Sequence, residues 1–331
     1  MSGCILFFDL KESEKNILKE FNLDGKEILF FKENLNLNTV KLLSEDLRKK
    51  TEAISVFITS ELTEDVINQF ENLKLIATRS TGINHIDLET CKNRSIEVKN
   101  VKSYGGKAVA QFTFALILSL VRKVIPAFED VKRHVINISS YEGRNLNNLV
   151  LGVVSTGEIG KCVCELACAF GMKVLAYDIE HKEELKSLEN FEYVSFENLI
   201  KNSDIITIHS PFVSDNYHLF GAKEFEKMKE NSYLINTSRG ELVDINALYQ
   251  AMLLNEIKGC ALDVVECENI SFFDTNTLKK LKDSTKKCLE KSIVLQKMAE
   301  LPNVIITPHI AYNTKDAIEE ILEVTMQNLG I

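Results

Sequence analysis

Short runs of apolar and β-branched residues alternate with longer amphipathic stretches through the first hundred residues. The runs at 5–8, 27–31, 54–59, 73–78 and 96–100 have the length and make-up of strands, and 41–50 and 64–71 carry helical spacing. Strands alternating with helices predict a parallel sheet covered on both faces, an open α/β domain whose strand-end loops face ligands. From 104 to about 124 the chain is apolar nearly all round. Such a helix is buried on several sides, within one core or between domains or subunits. Further strands are expected at 173–178, 204–209, 232–237, 260–265 and 303–307. Residues 269–300 break the rhythm. They are lysine-rich, helix-prone and glycine-free, and read as a helical excursion inserted between two strands.

The chain is organised around residues 149–160, L-V-L-G-V-V-S-T-G-E-I-G. A buried-type strand, a turn of small residues and the opening of a helix make the βαβ unit that holds a dinucleotide pyrophosphate on turn amides and a helix N-terminus. A plain βα turn would leave a similar trace, and the G-x-G-x-x-G fingerprint is incomplete, because Ser155 stands where its first glycine belongs. Asp178 favours the cofactor reading. It ends the next strand, K-V-L-A-Y-D, about 20 residues on, where an acid takes the ribose hydroxyls. The expected cofactor contacts are therefore Ser155, Gly157, Glu158, Ile159, Gly160 and Asp178. Asp178 repels a 2′-phosphate, and the following Ile179-Glu180-His181-Lys182 contains no arginine, which predicts NAD over NADP. Two departures weaken the expected site. A non-glycine residue at positive φ costs on the order of 1 kcal/mol, and Glu158 brings negative charge towards the pyrophosphate.

A length of 331 residues suffices for two domains, and 45% apolar content for substantial cores. The net charge of −9, without a basic stripe, predicts neither nucleic acid nor anionic membrane as a partner. Of eight cysteines, Cys162, Cys164 and Cys168 cluster without zinc-site spacing, and no metal is expected. They read as reduced, small apolar residues of a cytoplasmic protein. Residues 1–10 lack the basic start of a signal peptide, and the longest apolar run, 112–121, is too short for a bilayer.

Strand-end motifs in a fixed order complete the reading: A-T-R-S-T-G-I-N-H-I-D at 77–87, the turn around Gly157 with Asp178, I-N-T-S-R-G-E-L-V-D at 235–244, A-L-D-V-V-E-C-E at 261–268 and I-T-P-H-I-A-Y at 306–312. Together they resemble the D-isomer-specific 2-hydroxyacid dehydrogenases, most of all the D-lactate dehydrogenases, over essentially the whole chain. The resemblance implies two doubly wound parallel-sheet domains. A flavodoxin-like substrate domain would comprise residues 1–101 and 300–331, with a Rossmann NAD-binding domain inserted at 102–299. It implies action on a small 2-oxo or 2-hydroxy acid, with pyruvate and D-lactate ahead of larger acids, while the long apolar helix suggests a homodimer. A non-catalytic NAD-sensing scaffold is the rival reading. Phe272-Phe273-Asp274, early in the excursion, resembles the insert of D-lactate dehydrogenases.

Hydride transfer between a 2-oxo acid and NADH needs a carboxylate clamp, a proton donor at the carbonyl oxygen and an oriented nicotinamide. Arg239, at a strand end, offers a planar fork to a carboxylate. His309, after Pro308 at another strand end, is the candidate acid–base. Glu268 could pair with it, with Glu266 the nearby rival, and the resemblance, through the offset from Asp263, selects Glu268. The resemblance adds Asp263 beside the carboxamide, Thr237 and Ser238 along the cofactor, and Ser210, Pro211 and Asn216 on the adenosine side. It places Thr81 and Gly82 on the substrate carboxylate, and Tyr104 and Tyr312 around the substrate side chain. His85, His134, His181, His209 and His218 match no catalytic position. Gly105, Gly106, Lys107 and Gln111 depart from the family pattern at the start of the long helix.

Overall fold

The computed structural model describes residues 3–21, 27–101, 105–268 and 286–331. Two compact units result, Met1–Gly105 with Asn313–Ile331, and Gly106–Tyr312. The second crossing comes later than expected, after Tyr312 rather than near 300. The strand Val304–Ile306 completes the second unit's sheet by pairing in parallel with Gly259–Leu262, which keeps the chain there. The first crossing likewise falls at Gly105, not at 101.

In the first unit, β1 (Cys4–Phe7), β2 (Ile28–Phe30), β3 (Thr51–Val56), β4 (Leu75–Thr78) and β5 (Glu97–Asn100) form one parallel sheet in the order β2-β1-β3-β4-β5. This is the flavodoxin-like order. Strands buried on both faces explain the continuous apolar runs. One face packs Phe8, Ile54, Val66 and Phe70, while the other takes Leu322 and Met326 from the C-terminal helix Lys315–Asn328. The expected helix at 41–50 is a short turn, Val40–Leu42, and then Glu45–Lys50, because Ser44 caps the Leu47 amide and starts a new helix.

The second unit holds seven parallel strands: β6 (Val150–Val154), β7 (Lys173–Tyr177), β8 (Phe191–Tyr193), β9 (Ile205–Ile208), β10 (Tyr233–Asn236), β11 (Gly259–Leu262) and β12 (Val304–Ile306). Their order is β12-β11-β10-β9-β6-β7-β8. The chain runs outward from β6 to β8, then returns to the other side of β6, so β6 and β9 flank the topological switch point. The three-residue β8 escaped the sequence reading; it is too short to show alternation.

The long apolar segment is two helices, Gly106–Val121 and Val124–Lys132, separated where Lys123 adopts φ +52°. The first buries Phe114, Ile117 and Leu120 in the core of the second unit. Among the described residues no single helix is long and apolar enough to cross a membrane, although this pair, bent by 64°, reaches that length together. Of the excursion, the helix Lys286–Ala299 is described; Phe272-Phe273-Asp274 lie outside the described residues. Cys162, Cys164 and Cys168 are free thiols, as expected, and so are three others. Cys267 and Cys288 form a disulfide, a pairing between residues 21 apart that the sequence reading did not anticipate.

Candidate active site

The glycine-poor turn takes the shape a dinucleotide requires. Ser155 adopts φ +72°, the left-handed geometry usually left to glycine, and its hydroxyl donates to Asp178 Oδ2 at 3.2 Å. The same carboxylate oxygen accepts the Thr156 amide at 2.5 Å and the Thr156 hydroxyl at 3.1 Å, while Oδ1 accepts the Glu180 amide at 3.2 Å. Burial opposes ionisation of Asp178, but these hydrogen bonds outweigh it and hold the carboxyl below its usual pKa. Gly157 has open space around its missing side chain, so backbone there can approach a ligand. Gly160 has none. A Cβ would lie 2.0 Å from the Ser155 carbonyl oxygen, and only glycine lets the helix Glu158–Ala169 sit this close to β6. Ile159 is half-buried against the core on that helix. Glu158 is not an uncompensated charge, since Lys182 Nζ lies 3.0 Å from it. These features fit NAD.

Past β9, Asn216 Nδ2 donates to the Pro211 carbonyl at 2.8 Å and to Ser210 Oγ at 3.3 Å, so the three expected adenosine-side residues form one loop. His209, just before them, is buried, and its Nδ1 has no partner. Desolvation pushes its pKa down to about 3 and keeps the ring neutral.

The catalytic candidates converge at the carboxyl ends of β10, β11 and β12. Asn236 closes the first turn: its Oδ1 accepts from Ser238 N at 3.1 Å and Oγ at 2.9 Å, and its Nδ2 donates to Arg239 O at 2.8 Å. Thr237 is buried with its hydroxyl 3.1 Å from that of Thr113. Arg239 Nη1 donates to Ser238 O at 2.7 Å. Gly240 sets the spacing, because a Cβ there would lie 2.0 Å from the carbonyl carbon of Val265. The Arg239 turn is thereby pressed against the segment that carries Glu268. Sequence reasoning passed over both Asn236 and Gly240. Their signal was a glycine directly after the arginine and an amide side chain three residues before it.

Asp263 is fully buried, and its carboxylate is spent on the loop that presents His309. It accepts Thr307 Oγ1 at 2.5 Å, Ile310 N at 3.0 Å and Ala311 N at 2.9 Å, while its carbonyl accepts His309 N at 2.8 Å. His309, at φ +52°, turns Nδ1 onto Glu268 Oε2 at 2.7 Å. Both side chains keep some contact with solvent, 24% for His309 and 31% for Glu268. Tyr312 meets the His309 ring edge-to-face at 6.3 Å. The rival Glu266 is occupied elsewhere, by Tyr217 Oη at 3.0 Å, His218 Nε2 at 3.2 Å and Lys291 Nζ at 2.5 Å.

In the first unit, Thr81 and Gly82 follow β4. Asn100 Nδ2 donates to Thr81 O at 2.7 Å, and Ser80 Oγ donates to Gly82 O at 2.7 Å. Arg79, almost fully buried, secures the start of that loop by reaching back to Ser55 Oγ at 2.9 Å and Phe8 O at 2.6 Å. Tyr104 lies outside the described residues.

A Rossmann sheet with a glycine turn and a strand-end acid, beside an arginine, a histidine and a carboxylate at neighbouring strand ends, defines a nicotinamide-dependent oxidoreductase. The family model for the NAD-binding domain of D-isomer-specific 2-hydroxyacid dehydrogenases matches residues 114–311. An aromatic 2-oxoacid reductase of Clostridium sporogenes is 36% identical over 286 residues, 86% of this chain and 83% of that protein. A D-specific alpha-keto acid dehydrogenase of Enterococcus faecium is 38% identical over 279 residues, 84% of this chain and 82% of that one. The crystal structure of D-lactate dehydrogenase from Aquifex aeolicus complexed with NAD and lactic acid is 36% identical, with a TM-score of 0.83 over 98% of this chain and 94% of that one. The chain belongs to the D-isomer-specific 2-hydroxyacid dehydrogenase family and is an NAD-dependent enzyme of that class.

Proposed function

We propose that the enzyme reduces pyruvate to D-lactate with NADH, and catalyses the reverse oxidation. The observation that carries the acid–base assignment is the 2.7 Å contact between His309 Nδ1 and Glu268, at a strand end beside the Arg239 turn. NAD supplies the hydride acceptor or donor. Arg239 binds the substrate carboxylate through its planar fork, which fixes the carbonyl carbon for attack. His309, with Nδ1 committed to Glu268, uses Nε2 to donate a proton to the carbonyl oxygen during reduction and to accept it during oxidation. Glu268 holds the ring in one orientation through that contact. Asp263 acts by holding the His309 loop, and Thr237 and Ser238 by lining the cofactor. Thr81 and Gly82 on the carboxylate, with Tyr104 and Tyr312 on the side chain, rest on the family resemblance. The role of residues 1–101 as the substrate domain rests on it too.

Likeness to a lactate dehydrogenase over nearly the whole chain supports pyruvate. A second reading, a larger 2-oxo acid, draws support from the likeness to an aromatic 2-oxoacid reductase. The deciding experiment measures kcat/KM for pyruvate, 2-oxoisocaproate and phenylpyruvate with NADH and with NADPH. Pyruvate is expected to lead with NADH, and a higher value for phenylpyruvate would assign the second reading. No NADH oxidation with any of the three would favour a non-catalytic scaffold. We further infer a homodimer, supported by the apolar face that Val124, Ile125, Phe128 and Val131 leave exposed. Light scattering would measure it, with a monomer refuting it. Cytoplasmic residence is part of the same reading, supported by six free thiols.

A further inference from the structure

Six of the eight cysteines are chemically quiet. Cys4, Cys91, Cys162, Cys164, Cys168 and Cys260 are free thiols, and burial raises the pKa of each, to about 11 for Cys4 and about 12 for Cys260. Thiols kept protonated are poor nucleophiles. The other two, Cys267 and Cys288, are bonded to each other with their Cα atoms 5.7 Å apart. Their position matters more than their number. Cys267 directly precedes Glu268, the residue held against His309. Cys288 lies in the first turn of the helix Lys286–Ala299, and one turn further on Lys291 Nζ reaches Glu266 Oε1 at 2.5 Å. Two consecutive residues, Glu266 and Cys267, are thus tied to one face of one helix, the first by an ion pair and the second by a covalent bond. The far half of that helix is fixed independently, with Leu295 and Met298 buried in the core.

Cys267 is held at φ +57°, in the left-handed region that a residue with a Cβ avoids. Opening the bridge removes the covalent restraint on this backbone. Glu268 is the next residue, and among the described residues its carboxylate accepts one further bond besides that of His309, from the Val265 amide to Oε1 at 3.3 Å. A backbone shift at Cys267 would displace the neighbouring Glu268 side chain directly.

We propose that the Cys267–Cys288 disulfide is a reversible redox device that positions Glu268 against His309, and so sets how fast the enzyme reduces its substrate. The proposal rests on the reading of Glu268 and His309 as the acid–base pair. The bridge opens by thiol–disulfide exchange with a dithiol. One reductant thiolate attacks Sγ of one cysteine, giving a mixed disulfide and releasing the other cysteine as a thiolate that takes a proton. The second reductant thiol then displaces the first cysteine. The net change is two cysteine thiols formed, two electrons gained by the protein and one dithiol oxidised to its cyclic disulfide. A small-molecule disulfide reverses the reaction and leaves as two thiols. Disulfides in cytoplasmic proteins are characteristically transient, catalytic or redox-sensing.

The test compares the full-length enzyme after treatment with oxidised glutathione and after treatment with dithiothreitol, with thiols counted by alkylation and intact mass. The kcat and KM for 2-oxo acid reduction are measured in both states. The reduced form is expected to lose about threefold in kcat, with the KM for the 2-oxo acid and the NADH affinity unchanged. Re-oxidation should restore kcat. Cys288→Ser, in a half-buried helical turn that leaves the Cys267 backbone residue in place, should show the reduced kcat and ignore dithiothreitol. Glu268→Gln should start from a still lower kcat and also ignore it. Eight free thiols after oxidation, or equal kcat in the oxidised and reduced states, would overturn the proposal. If only the dithiothreitol response is missing while Glu268→Gln lowers kcat, the redox inference alone has failed. If Glu268→Gln also matches the parent, the acid–base reading has failed with it.

Discussion

Replacing Glu268 by glutamine removes a charge from the His309 ring while keeping the side chain's shape. Two charges in contact, about 4 Å between centres, interact by about 4 kcal/mol at an effective dielectric of about 20. Partial exposure of both side chains screens this, and a hydrogen bond to a charged group is worth about 1.5–3 kcal/mol net. At about 1.4 kcal/mol per factor of ten, losing that bond corresponds to about a 10- to 150-fold fall in kcat/KM. The fall should appear in both directions, because the same ring donates the proton to pyruvate and accepts it from D-lactate. Steady-state kcat/KM for both directions is the assay. His309→Gln is the control and should lose most activity. Kinetics identical to the parent's would refute the pairing. Glu266, although two residues away, is held by Tyr217, His218 and Lys291, so Glu266→Gln should lower stability and leave kcat/KM near the parent's.

Arg239→Lys keeps charge but not the fork, and should cost about 2–4 kcal/mol in kcat/KM for pyruvate with NADH binding spared; parental kinetics would place the clamp elsewhere. Asp178→Ala removes both a ribose acceptor and the anchor of the Thr156 amide, so NADH should bind about tenfold more weakly and the gap to NADPH should narrow; an unchanged NADH/NADPH ratio in fluorescence titrations would refute the assignment. His209, its pKa lowered from 6.5 to about 3 by burial, stays neutral when folded. Below about pH 6.5 the unfolded chain therefore binds a proton the folded chain does not, and stability should fall on acidification by up to about 1.4 kcal/mol per unit. Urea unfolding at pH 7 and pH 5 should show a shallower loss in His209→Asn, and an equal loss would refute it.

The alternation of apolar runs with amphipathic stretches located every strand but β8, because strand and helix periods are local and a strand covered on both faces must be apolar throughout, whereas the division into two sheets came from the family resemblance. Arg239 and His309 were legible as candidates for a related reason, since they stand just beyond two such runs and parallel topology gathers those ends on one edge. Glu268 was chosen over Glu266 through the family resemblance. Ser155 was legible as a departure, but only the folded turn shows φ +72° together with the bond to Asp178 that helps hold it. Other features depend on which segments meet. Gly240 matters because Val265 lies against it, and Asp263 because the Thr307–Ala311 loop donates to it. The break at Lys123 falls inside a run that reads as one apolar helix. Glu266 and Glu268, alike in sequence, are separated by their neighbours, Lys291 and His218 for one and His309 for the other. The same holds for Cys267, whose partner lies inside the excursion, 20 residues intervening, with no period to link them. Local pattern depends on the nearest few residues, whereas pairing, spacing and charge compensation depend on segments brought together only when the sheets close.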